Sequence, residues 1–362
     1  MDNSNITDIA RELSDLEVAL FLCLVAREHC LIETTSHCIN DLAKELALIA
    51  TSTFNYSYTI IDCSSTTSVE DIYNDVLSPD ARVNQRSSRP WLNTEASSKR
   101  SSYKSFGDYS KPPTTPTHLT GNNVVNIVVA KNFNFVSDDI QMNILQLMRS
   151  RELVTESGIL NAPEDFLFIP LVSRDSERLQ IPLKKHLVDN LFISHFHQLE
   201  AGYSYLEDDD WLSDGQISVS SVIRKVKETK RQRAVISQKD MEQLRELSTA
   251  VSTSAEVARY IQDIVVFLRL SRAVSGGVSA KANIEFSRFA QLLAPLHGID
   301  YLTPSIVALA ARKVFRHRII VTAPGEDRSL QYGSNLRAVS HVLDEVTRDS
   351  ILDGVLALEP PL

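Results

Sequence analysis

Glycine is scarce in this chain: 11 in 362 residues, less than half of the roughly 7% usual in proteins. None precedes Gly107. A loop that turns successive backbone N–H groups inward around a phosphate depends on glycine, so the segment before Gly107 holds no standard loop of that kind. Neither G-x-x-x-x-G-K-[ST] nor G-x-G-x-x-G occurs anywhere in the chain. Cysteine is sparse too. Cys23, Cys30, Cys38 and Cys63 form no C-x-x-C pair, and their apolar or helical settings predict buried, reduced thiols. His29 and His37 stand beside Cys30 and Cys38 in an order that fits no zinc pattern. His195 and His197 form an H-x-H on a predicted strand and are expected to face one side. No metal site is expected. The apolar runs all fall short of the ~20 residues that span a bilayer. The N-terminus has no basic stretch leading into an apolar one. A soluble, intracellular protein is expected, cytoplasmic by default. The formal net charge of −9 excludes a whole-chain nucleic-acid footprint, so no specific nucleic-acid partner is expected.

What is present fits about two domains at roughly 100–200 residues each, with 43% hydrophobic residues to build their cores. Leu13, Leu16, Ala19, Leu20 and Leu24 stand at helical spacing and predict one helix over 7–30. A short apolar strand, HCLIE, follows. Ile39, Leu42, Leu46 and Ile49 mark the next helix, over 39–50. YSYTIID at 56–62 has the β-branched and aromatic content of a strand, and VEDIYNDVL reads as a short helix. A buried strand is predicted over 124–130, a helix over 138–150 and an apolar strand over 165–173. A short helix, LKKHLVDNL, and a strand-like FISHFHQL come after. This alternation predicts an α/β domain over 1–200: a parallel sheet with helices on both faces.

Two stretches interrupt the pattern. Residues 80–120 are rich in Ser, Thr and Pro and poor in aliphatics, so they cannot offset their ordering entropy. They read as a disordered surface insert. Ser97, Ser98, Ser101, Ser102 and Ser105 stand there among Lys99, Arg100 and Lys104, a setting for phosphorylation by basic-directed kinases. The second stretch is a charged connector over 201–236. Acidic Glu207, Asp208, Asp209 and Asp210 precede basic Arg224, Lys225, Lys227, Lys230, Arg231 and Arg233.

Beyond Ser237 the chain reads as helical. Thr253 and Glu256 are spaced as a capping box, followed by an apolar face of Val257, Tyr260, Ile261, Ile264, Val265 and Leu268. Thr303 followed by Pro304 gives a second helix start. An all-helical domain is predicted over 237–322, then a C-terminal segment over 323–362 with one helix.

Four motifs in this half point to a family. They are Tyr260, Ile261, Asp263 and Val265; the run Gly277, Val278, Ser279, Ala280, Lys281 and Ala282; Gly298, Tyr301, Thr303 and Pro304; and Val314, His317 and Arg318. In this order they resemble the lid domain of the MoxR and magnesium-chelatase AAA+ ATPases. DDIQMNILQLMRSRELVT resembles the family segment that follows the Walker B strand. The resemblance implies an AAA+-like core followed by a helical lid, and a site for ATP and Mg²⁺ in the family's active members.

The positions that the resemblance assigns to nucleotide chemistry carry other residues here. The family's phosphate loop falls on Thr34, Thr35, Ser36, His37, Cys38, Ile39, Asn40 and Asp41. Asn40 stands for its lysine and Asp41 for its Mg²⁺-binding hydroxyl. Lys131 and Asn132 replace the two Walker B acids, and only Asn134 persists nearby. Ser173 stands for the sensor asparagine. Asn190, after a retained Asp189, stands for an arginine, and Lys281 replaces the sensor arginine of the lid. No catalytic residue is expected, and these eight positions read as vestiges of a nucleotide site. Lys131 is expected to pair with Asp41 across it. The implied function is that of a non-catalytic scaffold or regulatory subunit. It would bind protein partners or assemble as a homo- or hetero-oligomer. The alternative is an active magnesium-chelatase-type motor subunit with ATP and Mg²⁺ as cofactors.

Overall fold

A capping box decides how the chain enters its sheet. The Oγ of Ser14 accepts from the N–H of Glu17 at 3.3 Å, and Glu17 accepts from the N–H of Ser14 at 2.8 Å. It divides the helix predicted over 7–30 into α1 (Ser4–Glu12) and α2 (Asp15–Ala26), since residues flanking a capping box take extended backbone angles. α2 ends at Arg27 in a left-handed conformation, φ 56°, and the chain then extends. The computed structural model describes residues 4–77, 118–122, 124–155, 158–174, 183–198, 202–206, 235–357 and 360.

β1 (His29–Thr34), α3 (Ile39–Ser52), β2 (Tyr58–Asp62) and α4 (Val69–Val76) come first. β3 (His118–Asn122), β4 (Ile127–Lys131), α5 (Asp138–Ser150), β5 (Glu152–Thr155) and β6 (Gly158–Asn161) follow. β7 (Leu167–Ser173), α6 (Lys185–Asp189) and β8 (Leu191–Phe196) complete this half. Five strands form one sheet in the order β2-β4-β7-β1-β8, and every pairing in it is parallel. Alternation along the strands serves both faces. Ile32, Val129 and Ile169 face a core shared with Leu42, Leu46 and Ile49 of α3. Leu31, Val128 and Phe168 face Ile72 of α4 and Ile140 and Ile144 of α5. All four cysteines are buried free thiols.

A second sheet, β3-β6-β5, was not expected. β3 falls at the end of the predicted insert and corrects its boundary. β5 and β6 form an antiparallel pair, each only four residues long. Strands that short carry little pattern, and cross-strand pairing rather than periodicity defines them. The rest of the predicted insert, to residue 117, and the charged runs of the connector lie outside the described residues.

The second half contains α7 (Gln238–Ala250), α8 (Ala255–Leu270), β9 (Val274–Gly276), α9 (Ala280–Leu296), α10 (Pro304–Phe315) and β10 (Ile320–Val321). Its strands make a small antiparallel pair. α8 starts one residue later than predicted. Its cap is Ser254, whose Oγ accepts from the N–H of Val257 at 3.3 Å, not Thr253. Ser252 is held in a β-bridge with Tyr301, and this carries extended backbone past the predicted cap. Thr303 caps α10 as expected, with Pro304 in the first turn. The C-terminal segment holds two α-helices rather than one, α11 (Leu336–Leu343) and α12 (Arg348–Leu356). α12 docks on α10 through Arg312–Asp353 at 2.5 Å and Arg316–Asp349 at 3.1 Å. Among the described residues, no helix is long and apolar enough to cross a membrane.

Candidate functional site at the two edges of the sheet

Because the five strands are parallel, residues at strand ends fall on one of two edges. Asn40, Asp41, Lys131, Asn132, Asn134 and Ser173 follow or end β1, β4 and β7 at the carboxyl edge. Asn190 immediately precedes β8 and therefore lies at the opposite edge, about one strand length or roughly 20 Å away. Lys281 joins it there. The eight positions thus form two groups.

At the carboxyl edge, the chain between β1 and α3 makes a 3₁₀ turn, Ser36–Cys38. The N–H of Cys38 donates to the carbonyl of Thr35 at 3.0 Å. Thr34 is buried, and its hydroxyl donates to the carbonyl of His197 at 3.3 Å. Lys131 ends β4 directly opposite Asp62 of β2. Its Nζ lies 2.9 Å from Asp62 Oδ2 and 2.9 Å from Asn40 Oδ1. The expected Lys131–Asp41 pair does not form: Asp41 lies 3.6 Å from Lys44. Asn40 and Asp41 are successive residues in the first turn of α3, so their side chains diverge by about 100°, and only Asn40 reaches β4. Asn132 adopts a left-handed conformation, φ 55°, which asparagine tolerates. It starts the short turn that carries Asn134, whose Oδ1 is buried with no hydrogen-bond donor among the described residues. Ser173 lies in register with Thr34.

Sequence reasoning missed the strongest electrostatic feature beside this edge. Glu33 and Arg174 form an ion pair at 2.6 Å, with side chains 2% and 6% exposed. The signal was an acid ending an apolar strand and an arginine following another. Asp62, the true partner of Lys131, was visible in the same way as the acid that ends YTIID.

At the other edge, the core meets the helical half. Lys281 Nζ donates to Asn190 Oδ1 at 2.5 Å and lies 3.4 Å from Glu285 Oε1. Asn190 Nδ2 donates to the carbonyl of His186 at 2.7 Å, and Ser279 Oγ donates to Asp189 Oδ1 at 2.6 Å. Arg318, 2% exposed, pairs with Glu285. It also donates to the carbonyls of Leu191 at 2.7 Å and Val314 at 2.8 Å. Burial is the leading influence on Glu285 and raises its pKa to about 7, although Arg318 and Lys281 pull it down. His317 lies 2.8 Å from the same Leu191 carbonyl through Nε2, and burial pushes its pKa well down. Gly277 has φ +95°, and a Cβ there would stand 1.8 Å from the carbonyl oxygen of Arg318. This turn therefore requires glycine. A cavity of about 200 Å³ opens beside the network, lined in part by Lys185, His186, Asp189 and Ser279.

His195 and His197 come together, with ring centroids 6.3 Å apart. Among the described residues, no group of three or more His, Cys, Asp or Glu side chains is arranged to hold a metal ion.

A parallel five-stranded sheet covered by helices and followed by a helical lid places the chain in the AAA+ class of folds. The comparisons agree with that class at two scales. Residues 267–335 match the AAA lid domain. A solved protein of Cytophaga hutchinsonii, described as a candidate ATPase, is similar over 95% of this chain and 93% of its own, with TM-score 0.55 and 15% identity. At that identity the likeness concerns the fold. No curated protein matches.

Proposed function

We propose that this chain is a degenerate member of the MoxR and magnesium-chelatase type: a non-catalytic AAA+-like protein that serves as a scaffold or regulatory subunit for protein partners. The observation that carries this reading is the cluster of Lys131, Asn40 and Asp62 at the carboxyl edge. Phosphoryl transfer to water needs a lysine on the phosphates, a hydroxyl on Mg²⁺ and acids that order the metal and the water. Here Lys131 is committed to a carboxylate and an amide at 2.9 Å each. The amide of Cys38 is spent inside its own turn instead of facing an anion. The loop residues carry side chains where an anion-binding loop would present bare backbone. These residues do not fit ATP–Mg²⁺, so no hydrolytic step is assigned to them. Residues of the second edge, Asn190 and Lys281, are likewise committed to bracing the lid.

Calorimetry of the full chain with ATP and Mg²⁺ at about millimolar concentration tests the reading. The expected result is no saturable heat and no phosphate release. Micromolar affinity with turnover would overturn it in favour of the motor alternative. Sedimentation tests the assembly part, and a strictly monomeric chain at all concentrations would leave a regulatory subunit rather than an oligomeric scaffold.

A further inference from the structure

A larger cavity stands apart from both groups of positions. It lies between α1, α2, β8, α9 and α10 and has a volume of about 600 Å³, within the usual range for small-molecule sites. Leu22, Ile193, Phe289 and Leu293 supply apolar wall. Its polar lining comprises Lys313 of α10 and His195 of β8 together with Thr7, Arg11, Asp15 and His297.

Lys313 is half-buried and His195 is 7% exposed. Lys313 Nζ lies 3.3 Å from His195 Nδ1. Burial first, then the charge of Lys313, then His197 and Arg316, pull the His195 pKa down to about 3. The ring is therefore neutral near neutral pH, and its Nδ1 accepts from the ammonium while Nε2 carries the proton. Burial also lowers the pKa of Lys313, opposed by the charge of Asp15. Among the described residues, no carboxylate lies within ion-pair distance of Lys313. Asp15 is exposed. A half-buried ammonium whose hydrogen-bond partner is a neutral ring, and which Asp15 influences only from beyond ion-pair distance, is incompletely compensated.

We propose that this cavity binds an amphipathic monocarboxylate, its carboxylate on Lys313 and its hydrocarbon chain along Leu22, Ile193, Phe289 and Leu293. The single anionic head supplies the direct ion-pair partner that Lys313 does not have among the described residues, and the apolar wall removes the chain from water. A multiply charged phosphate fits less well. Asp15 lines the same cavity, and Arg11 is already paired with Asp8 at 3.4 Å. The proposal does not depend on the fate of the nucleotide site, and its test uses a different ligand.

Decanoate is the probe, titrated into the full chain by calorimetry and by thermal unfolding, with decanol as the neutral control. Decanoate is expected to bind saturably and raise Tm, with decanol weaker by about tenfold, as befits loss of a charge-assisted hydrogen bond. Lys313→Met should abolish that preference. Leu293→Trp, which fills the cavity and leaves Lys313 intact, should abolish binding of both. Asp15→Asn should tighten decanoate. Equal binding of decanoate and decanol would overturn the proposal, as would wild-type affinity in Leu293→Trp or absence of binding below about 1 mM. So would an Asp15→Asn variant that binds decanoate no better and unfolds as readily as Lys313→Met, since Asp15 would then be the counter-ion.

Discussion

The two edges of the sheet solve the same problem at different cost. Each gathers polar side chains at positions that the family resemblance assigns to nucleotide chemistry. In the Lys131 cluster of the carboxyl edge, as distinct from the buried Glu33–Arg174 pair beside it, Lys131 is 14% exposed but its partner Asp62 is 68% exposed, so water shares the work of neutralisation. At the lid junction, the side chains of Arg318 and Glu285 are 1% and 5% exposed, and protein atoms must do all of it. The difference teaches where this chain depends on its polar groups. The first cluster is a local adjustment. The second joins two halves of the molecule.

The largest expected effect is at Arg318. Its replacement by methionine leaves Glu285 buried without its main partner and strips donors from the Leu191 and Val314 carbonyls. Loss of one member of a buried pair costs about 3–5 kcal/mol, read as a fall in the urea midpoint. A loss below about 1 kcal/mol would erase the contrast between the edges.

The second effect is a pH dependence. Glu285 has its folded pKa raised to about 7 from the ordinary 4.5, so the folded state holds this proton more tightly than the unfolded state. The resulting stabilisation is fully present below 4.5 and is lost as pH rises through about 7. Glu285→Gln is expected to flatten the stability profile across that window. An unchanged slope would mean that another group carries it.

A smaller effect separates two neighbouring residues. Ser254→Ala removes the cap of α8 and should cost about 1 kcal/mol, whereas Thr253→Ala should cost only a few tenths, as an exposed loop change does. The reverse order would restore the cap expected from sequence. The smallest effect is at the carboxyl edge itself. Lys131→Ala should change stability by about 0–1 kcal/mol, since its partner is solvated. A loss as large as that of Arg318→Met would make the two edges equivalent.

Much of the core was legible because its residues repeat. The alternation of Leu31, Ile32 and Glu33 with flanking helical stripes defined β1 and its neighbours, and Thr303–Pro304 located the start of α10 to the residue. The four lid motifs marked the helical half, and Gly277 shows why one of them needs its glycine: a backbone oxygen occupies the space of a Cβ. The β5–β6 hairpin, the second C-terminal helix and the break after α1 were less legible. Their elements are short, and each is set by one pairing or one cap.

The candidate site divided along the same line. Sequence alone determined which residue types stand at the nucleotide-related positions, and that no glycine-rich loop precedes them. Those are properties of order along the chain. Tertiary structure alone decided the partnerships. Lys131 meets Asp62 because β2 and β4 are parallel and in register, and Asp41 turns away because one helical residue is a rotation of about 100°. Asn190 meets Lys281 across 91 residues of chain because the lid closes on the amino edge of β8. Charge partnership depends on distance in space, and distance along the chain leaves it undetermined.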